Sequence, residues 1–406
     1  LIYFKILNFF KLLYIMIIYA IFYISTNTQR FIKQESQMRV LIFSASTGGG
    51  HKRAATALKE YIETTSKDNY VKIIDGIEQT GKLYNNFICG GYTILAKNMP
   101  KFYGKIYRNS DHKSALNNLC NSVNKFKSRH LTGAIETFKP DVIITCHAFV
   151  ATMLGDLKRK GKIKAPVIAL ITDYASHYTY IADGIDHYIV SSQKMVDDFQ
   201  TRYNISPRRV HAFGIPVFQK FTAETDKQEL RNKLRLKPDT KTALFMAGSF
   251  GVNEVLSVYK NIANTAHDCQ FIVITGKNHN LYNKFRTRIN KNTRLLMYVD
   301  NVEDYMHCSD LIITNPCGLT VSESLNCALP MAIYSAYPGQ EADNAKFLND
   351  IGVAVMLDNS PGDTVNKLLK DDRRLKIMSE NCKKNCNGNS AKLICELAYS
   401  LTEKKK

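Results

Sequence analysis

The sequence predicts an α/β protein of two doubly wound, Rossmann-like domains that face each other across a cleft. From Met38 onward, short β-branched runs alternate with helical patterns, which is typical of parallel α/β sheets. The alternation pauses once, at the Gly- and Pro-containing segment 213–217, and a second series then begins. A length of 406 residues also suits two or three domains of roughly 100–200 residues each.

The predicted strands are mainly apolar, as expected when helices cover both faces of a parallel sheet. In the first domain, residues 38–215, they are Val40–Ser44, Val71–Asp75, Val142–Thr145, Val167–Thr172 and Tyr188–Ser191. In the second domain, residues 216–406, they are Thr242–Ala247, Phe271–Thr275, Arg294–Val299, Leu311–Thr314, Met331–Tyr334 and Val353–Leu357. Such sheets bind ligands at the carboxyl ends of their strands, so the pair predicts a site for a donor and an acceptor between them.

Residues 1–37 precede the first strand and contain an uncharged apolar run, Leu12–Ile24, after two lysines. The run is shorter than the roughly 20 residues that span a bilayer. Three interpretations stay open: a short anchor with a positive cytoplasmic flank, a signal peptide, or upstream sequence translated in frame. We hypothesise that Met38 is the native start, which N-terminal sequencing of the natural protein tests.

The formal net charge of +19 indicates an anionic partner, which charge alone leaves open among nucleic acid, an anionic membrane face and a phosphorylated substrate. Cations concentrate between residues 97 and 129, interleaved with aromatic rings, and this mixture suits a membrane surface. Its first cations are Lys97, Lys101, Lys105 and Arg108. The other interpretation is an ordinary solvated face. No signature of a nucleic-acid-binding module is present, so we expect no nucleic-acid partner.

The ten cysteines are scattered and form no CxxC pair, which predicts a reduced, cytosolic protein without a disulfide framework or a zinc site. The sequence also contains no D-x-D pair, a carboxylate spacing that can hold a metal ion beside a diphosphate. We therefore expect neither a metal nor another cofactor.

The first motif joins a strand to a helix through three glycines. Gly48, Gly49 and Gly50 allow a ligand to approach the backbone, and the start of the helix behind them presents free N–H groups. His51 follows in the first helical turn, where the helix dipole disfavours the protonated imidazole. A neutral imidazole there can act as the general base for a hydroxyl nucleophile, although a capping or packing role is the other interpretation.

The second motif ends the strand before position 173. Asp173 and His177 lie at the rim of the predicted sheet. There the carboxylate and the imidazole could orient His51 or an acceptor hydroxyl. A simple cap of the following turn is the alternative role of Asp173.

The third motif lies in the second domain, where a strand enters a tight turn and a helix near Leu319. Gly318 and Thr320 lie at the helix start, where N–H groups suit a diphosphate, and Glu323 follows one turn later, where it suits two ribose hydroxyls. Gly248 and Ser249 form another loop suited to a phosphate.

Further along, Gln340, Glu341 and Asn344 follow a turn and offer amide and carboxylate groups to sugar hydroxyls. Each of these motifs alone fits ordinary loop chemistry, whereas their order along the chain is specific.

In that order the motifs resemble glycosyltransferase family 28, and within it the monogalactosyldiacylglycerol synthase and processive diacylglycerol glucosyltransferase branch. The segments that resemble it are 47–51, 172–177 with Asp186, 248–251, 317–323 and 338–341. The resemblance implies a GT-B fold, an inverting mechanism, and UDP-glucose or UDP-galactose bound mainly by the second domain. It also implies transfer to diacylglycerol, at the cytoplasmic face of the cell membrane as a peripheral protein.

The resemblance assigns roles to individual positions. His51 corresponds to the base or acceptor-site residue, Glu323 to the ribose ligand, and Gln340 and Glu341 to the hexose ligands, while Val299 matches a segment whose backbone contacts uracil. The basic region beyond residue 84 corresponds to the part of relatives that touches membrane and lipid acceptor.

Two segments depart from the family. Relatives usually have Lys-Pro-Gly-Gly where this chain has Asn315-Pro316-Cys317-Gly318, so a cation and a glycine are missing beside the diphosphate. After His177 relatives commonly have Trp, whereas this chain has Tyr180 and no Trp. Two alternative functions stay open: transfer of N-acetylglucosamine to a lipid-linked peptidoglycan precursor, and non-catalytic binding of a UDP-sugar in a regulatory role.

Overall fold

The computed structural model describes residues 37–46, 49–81, 99–112, 122–247, 252–357 and 359–403. The predictions made for the N-terminal apolar run, Gly48, Lys97, Gly248 and Ser249 fall outside these ranges.

The first sheet consists of parallel strands in the order β2-β1-β3-β4-β5-β6. Their bounds are β1 Arg39–Ser44, β2 Tyr70–Asp75, β3 Val142–Thr145, β4 Val167–Leu170, β5 His187–Ile189 and β6 Val210–His211. β3 and β4 are buried along their whole length, which explains why Thr145 is their only polar residue. The chain changes direction across the sheet between β1 and β3, so the carboxyl ends of these two strands border the crevice where such sheets bind ligands.

The second sheet is also parallel, in the order β12-β11-β10-β7-β8-β9, which is the strand order of a Rossmann fold. Its bounds are β7 Thr242–Met246, β8 Gln270–Ile274, β9 Thr293–Leu296, β10 Leu311–Thr314, β11 Met331–Ile333 and β12 Ala354–Met356. Its switch point lies between β7 and β10. The loops that follow these two strands therefore border the second crevice.

The α-helices of the described residues connect the strands and cover both sheets. They are α1 Gly49–Thr65, α2 Pro100–Asn109, α3 Thr132–Phe138, α4 Ala148–Arg159, α5 Gln193–Thr201, α6 Lys227–Lys233, α7 Val252–Thr265, α8 His279–Arg286, α9 Val302–Cys308, α10 Gly318–Asn326, α11 Gln340–Asp350, α12 Pro361–Lys370, α13 Asp372–Asn385 and α14 Ser390–Glu403. No helix in the described ranges is both long enough and apolar enough to cross a bilayer.

The predicted fold class is confirmed, because every predicted strand is present and both sheets are parallel and doubly wound. The sequence did not predict β6, whose two residues are too few for a recognisable pattern.

The last helix returns to the first domain, although the second domain was expected to extend to residue 406. Ala391, Ile394 and Cys395 of α14 pack in one apolar cluster with Val40 and Ile42 of the first sheet. Covering this face completes the first domain with a helix from the far end of the sequence.

The chain therefore crosses between the domains twice, and the two crossings are bonded to each other. The Ser390 hydroxyl donates to the Gly214 carbonyl at 2.8 Å, and the Asn387 amide donates to the Ala212 carbonyl at 3.2 Å. These bonds join the region of the predicted domain boundary to the start of α14 and the residues just before it.

Candidate functional site

His51 lies in the first turn of α1, behind the carboxyl end of β1, where the sequence placed it. The start of α1 faces the start of α10: a side chain at Gly50 would meet the Leu319 Cβ at 3.7 Å and the Cys317 Sγ at 3.9 Å. Gly49 has open space around it. The two helix N-termini, one from each domain, thus point into the same part of the interdomain region.

The His51 imidazole is held by a residue at the end of β4. Its Nδ1 lies 2.9 Å from the Thr172 hydroxyl oxygen. Burial lowers its pKa below the ordinary value, while the Asp173 carboxylate and a bond to the Cys146 backbone act in the opposite direction. The net result is a neutral imidazole at pH 7, which is the form that can accept a proton.

His147, which the sequence analysis did not single out, lies against His51. The two rings meet edge to face, with centroids 5.2 Å apart. His147 caps α4, because its Nδ1 accepts the Phe149 N–H at 3.3 Å, and burial together with His51 lowers its pKa to about 3. Its position after β3, at the switch point of the sheet, is the signal that could have identified it.

Asp173 is buried and receives donors from both domains. Its Oδ2 accepts the Gln340 amide at 2.7 Å and also the Tyr180 hydroxyl, and its Oδ1 accepts the Asn344 amide at 3.3 Å. Thr172, rather than Asp173, makes the hydrogen bond to His51. Asp173 therefore acts on His51 through its charge and joins the two domains through its oxygens.

The backbone of the segment that follows β4 also touches the second domain directly. A Cβ on Gly318 would lie 2.0 Å from the Thr172 carbonyl oxygen, so this close approach requires a glycine. Gly318 and Thr320 both lie in the first turn of α10, as predicted, and Gly318 is buried. Burial raises the pKa of the Cys317 thiol to about 11, although the N–H groups of Leu319 and Thr320 act in the other direction.

Glu323 pairs with an arginine of the first domain. The Arg53 Nη2 lies 2.6 Å from the Glu323 Oε1, and the two side chains are 42% and 2% exposed respectively. Burial raises the pKa of Glu323 to about 7, and the charges of Arg53 and then Lys220 partly offset this rise.

The residues predicted to bind the hexose cluster at the start of α11. The Glu341 carboxylate accepts the Asn315 amide at 3.2 Å and the Tyr337 N–H at 3.1 Å, and burial raises its pKa. The Asn344 side chain also donates to the Pro316 carbonyl at 3.1 Å. Asn315 therefore helps to hold Glu341 in place through its uncharged amide.

Val299, predicted from the resemblance to contact uracil through its backbone, lies in the loop between β9 and α9. Its side chain packs partly against the core of the second domain. This loop follows the edge strand at the carboxyl end of the second sheet.

His177 is buried and both of its ring nitrogens have partners. Nε2 lies 2.9 Å from the Tyr107 carbonyl oxygen and Nδ1 lies 2.8 Å from the Thr179 hydroxyl, while its ring stacks on that of Tyr107 at 4.0 Å. These contacts fix α2 to the first domain. Burial lowers the pKa of His177.

Helix α2 presents two different faces. Lys101, Lys105 and Arg108 are exposed, and their spacing places them on one side of the helix. On another side, a Cβ at Gly104 would lie 2.6 Å from that of Pro338. Gly339, with φ of 113°, lies beside Tyr103 and Tyr107 of the same helix, so the turn that contacts α2 requires a glycine there.

Within the described ranges, no group of three or more His, Cys, Asp or Glu side chains is arranged to hold a metal ion. The expectation that no metal is needed stays a prediction.

Solved structures with a similar fold support the two-domain architecture. A UDP-GlcNAc 2-epimerase from Neisseria meningitidis matches with a TM-score of 0.57 and 14% identity, over 89% of this chain and 99% of that chain. MurG of Acinetobacter baumannii matches with a TM-score of 0.56 and 14% identity, over the same two shares. At this identity the likeness concerns the fold alone, which is GT-B.

Comparison with curated proteins gives a relative of nearly the same extent. A processive diacylglycerol beta-glucosyltransferase from Bacillus licheniformis is 27% identical over 361 residues, which cover 87% of this chain and 93% of the relative.

Two family models match successive parts of the chain. The model of monogalactosyldiacylglycerol (MGDG) synthase matches residues 51–217, and the model of the glycosyltransferase family 28 C-terminal domain matches residues 242–396. The resemblance predicted from the motifs is confirmed. The two matches follow one another in the order of the two sheets and together span most of the sequence, so the chain belongs to glycosyltransferase family 28.

Proposed function

We propose that this protein is an inverting glycosyltransferase that moves a hexose from a UDP-sugar to the hydroxyl of diacylglycerol. The name of the Bacillus licheniformis relative and the MGDG synthase match over residues 51–217 support diacylglycerol as acceptor. The peptidoglycan alternative has weaker support, because the likeness to MurG is a likeness of fold.

One observation carries the enzymatic proposal: the His51 imidazole, held by the Thr172 hydroxyl, lies beside the facing starts of α1 and α10. His51 takes the proton of the acceptor hydroxyl as the oxygen attacks the anomeric carbon of the donor. Thr172 orients the imidazole, and the Asp173 carboxylate stabilises the imidazolium that forms. The N–H groups at the start of α10 stabilise the charge that develops on the departing UDP.

The identity of the hexose is part of the proposal. The name of the relative favours glucose, whereas the family model that matches the first half is named for galactose transfer. Radiolabelled UDP-glucose and UDP-galactose, supplied separately with diacylglycerol vesicles, distinguish them. We expect one donor to give a labelled glycolipid whose new linkage is inverted relative to the donor, as nuclear magnetic resonance of the product would show.

The same assay tests the alternatives. Labelled product only with UDP-N-acetylglucosamine and a lipid-linked muramyl peptide would replace our proposal by the peptidoglycan function. Saturable UDP-hexose binding without transfer to either lipid would indicate a non-catalytic binding protein.

We further propose that transfer needs no metal and takes place at the cytoplasmic face of the cell membrane, where the protein binds peripherally. The helix starts and His51 supply the charge stabilisation and the base in this mechanism, so chelator should leave the rate unchanged. The exposed cations of α2 support binding to an anionic surface.

A further inference from the structure

We propose that Arg53 is a donor-binding residue that leaves the Glu323 carboxylate when ribose occupies it and then pairs with the diphosphate. The inference rests on the proposed function, because it adds a contact to the same UDP-sugar site. It assigns to the first domain a cationic contact in a site whose other expected donor-binding groups lie in the second domain.

The ion pair between the domains is asymmetric in a way that favours this exchange. The Arg53 guanidinium lies 2.6 Å from the Glu323 carboxylate, yet the Arg53 side chain is 42% exposed and that of Glu323 only 2%. The carboxylate belongs to a buried residue of α10, whereas the guanidinium is at the end of a long, partly exposed side chain that can change rotamer. When ribose hydroxyls bind Glu323, the displaced cation is the partner that moves.

Two neighbouring groups of the described second domain do not offer an unpaired positive charge to a diphosphate. Asn315, just after β10, is uncharged, and its amide donates to Glu341 at 3.2 Å. Lys220, the other cation that acts on Glu323, lies 2.8 Å from the Glu303 carboxylate. Arg53 differs from both, because it is a cation whose side chain is partly exposed beside the start of α10.

The diphosphate expected at the start of α10 is within reach of Arg53. Glu323 is five residues after Gly318, which corresponds to about 7.5 Å of helix rise. Arg53 follows Gly50 by one helical turn, and Gly50 faces Leu319 directly. A guanidinium keeps its charge at any relevant pH and binds phosphate oxygens through two parallel N–H groups, so it exchanges one anion for another without losing a partner.

The test compares UDP with uridine, because both contain the ribose and only UDP has the diphosphate. The decisive quantity is the ratio of the two Kd values, measured by calorimetry. If a substitution of Arg53 alters how Glu323 binds ribose, it changes the Kd of both ligands by the same factor. This effect therefore cancels in the ratio. We expect Arg53→Ala to reduce the preference for UDP over uridine about tenfold or more, since a charge-assisted contact is lost.

The neighbouring exposed lysine provides a matched control. Lys52→Ala removes the same charge one residue away and should leave the ratio unchanged. Arg53→Lys, which retains the charge, should restore part of the preference and remains informative if the alanine variant folds poorly. The UDP affinity of the wild type should also fall more steeply with salt than that of Arg53→Ala.

The outcomes separate the inference from the function on which it rests. An unchanged ratio in Arg53→Ala, with both ligands equally affected, would show that Arg53 only holds the domains together and would overturn the inference. Failure of the wild-type protein to bind UDP at all would instead overturn the proposed function.

Discussion

At the scale of single residues, the chemistry depends on how His51 is kept neutral and oriented. Burial lowers its pKa, the nearby Asp173 carboxylate opposes that effect, and Thr172 holds Nδ1. These opposing effects allow an imidazole that is neutral at pH 7 and whose protonated form is stabilised by Asp173 when it accepts the proton in the transition state.

Substitution of His51 tests this role. We expect His51→Ala to reduce kcat by about 10²–10⁴-fold, the usual contribution of a general base, while UDP affinity stays unchanged. In the wild type, the rate should rise with pH through a pKa below 6.5 and level off toward neutrality, because only the neutral imidazole accepts the proton. Steady-state kinetics of lipid glycosylation across this pH range provide the measurement.

His267 provides a control for this substitution. It is exposed and precedes β8, so it lies near the amino ends of the strands, on the side of the second sheet opposite the crevice. His267→Ala should retain full activity and the same pH profile. If His51→Ala turned over like the wild type, the assignment of the base would be wrong.

At the scale of secondary structure elements, the end of β4 and the start of α10 form the central contact between the domains. The Thr172 hydroxyl is hydrogen-bonded to His51, and the Thr172 carbonyl oxygen lies close to Gly318. The Asp173 carboxylate accepts hydrogen bonds from the amides of Gln340 and Asn344. The same two residues thus connect the base to the domain that is expected to hold the donor. Contact between the domains and orientation of the base therefore depend on the same two residues.

Gly318→Ala tests this contact. The added methyl group would lie 2.0 Å from the Thr172 carbonyl oxygen, so the strand and helix must move apart. We expect a loss of about 1–3 kcal/mol in the free energy of unfolding, as for other overpacked sites, together with reduced kcat. Denaturant unfolding and the glycosylation assay measure the two effects.

Gly133 in α3 is a matched control, because a Cβ at that position meets nothing within 4 Å. Gly133→Ala should stabilise the helix by about 0.5–1 kcal/mol. A stabilising effect at both glycines would contradict the close contact at Gly318.

The strands and helix starts were largely predictable from sequence, whereas the residue contacts between the two domains were not. Apolar runs identified β4 and β10, and the glycines predicted the helix starts that follow β1 and β10, because these signals lie within a few neighbouring residues. The bonds from Gln340 to Asp173 and from Arg53 to Glu323 join positions far apart in the sequence. Such pairings depend on how two domains meet, which no local pattern encodes.

Gln340 illustrates the difference most clearly. The resemblance assigned it to the hexose, and in the structure its amide donates to Asp173 of the other domain. Its role toward the sugar stays a prediction, and a donor that uses this amide must compete with Asp173 for it.

At the scale of the whole molecule, the exposed positive charge of α2 lies beside the candidate site between the domains. Helix α2 contacts the turn at Gly339 on one side and exposes Lys101, Lys105 and Arg108 on another. A membrane bound to this exposed face would lie close to both domains. The net charge of +19 adds a long-range attraction to anionic lipid.

Replacing Lys101, Lys105 and Arg108 together by Gln tests the membrane face. Each cation near an anionic surface contributes roughly 1 kcal/mol, so binding to vesicles with anionic lipid should weaken on the order of a hundredfold. Vesicle co-sedimentation measures this, and high salt should reduce the difference between wild type and variant.

A control variant removes the same charge from another surface. It replaces three exposed residues of α13, Arg373, Lys376 and Lys383. Their replacement by Gln should have a much smaller effect. Equal weakening in both triple variants would indicate general electrostatic attraction instead of a defined binding face.

The helix that returns to the first sheet has a practical consequence for anyone who wishes to recombine these enzymes. A chimera with a foreign donor-binding half requires two junctions, one near Gly214 and one near Ser390, where the crossings are bonded side by side. A single junction would leave Val40, Ile42 and their neighbours beneath a helix that evolved on another scaffold. The portable unit is thus an insertion between two fixed ends, rather than the trailing half of the sequence.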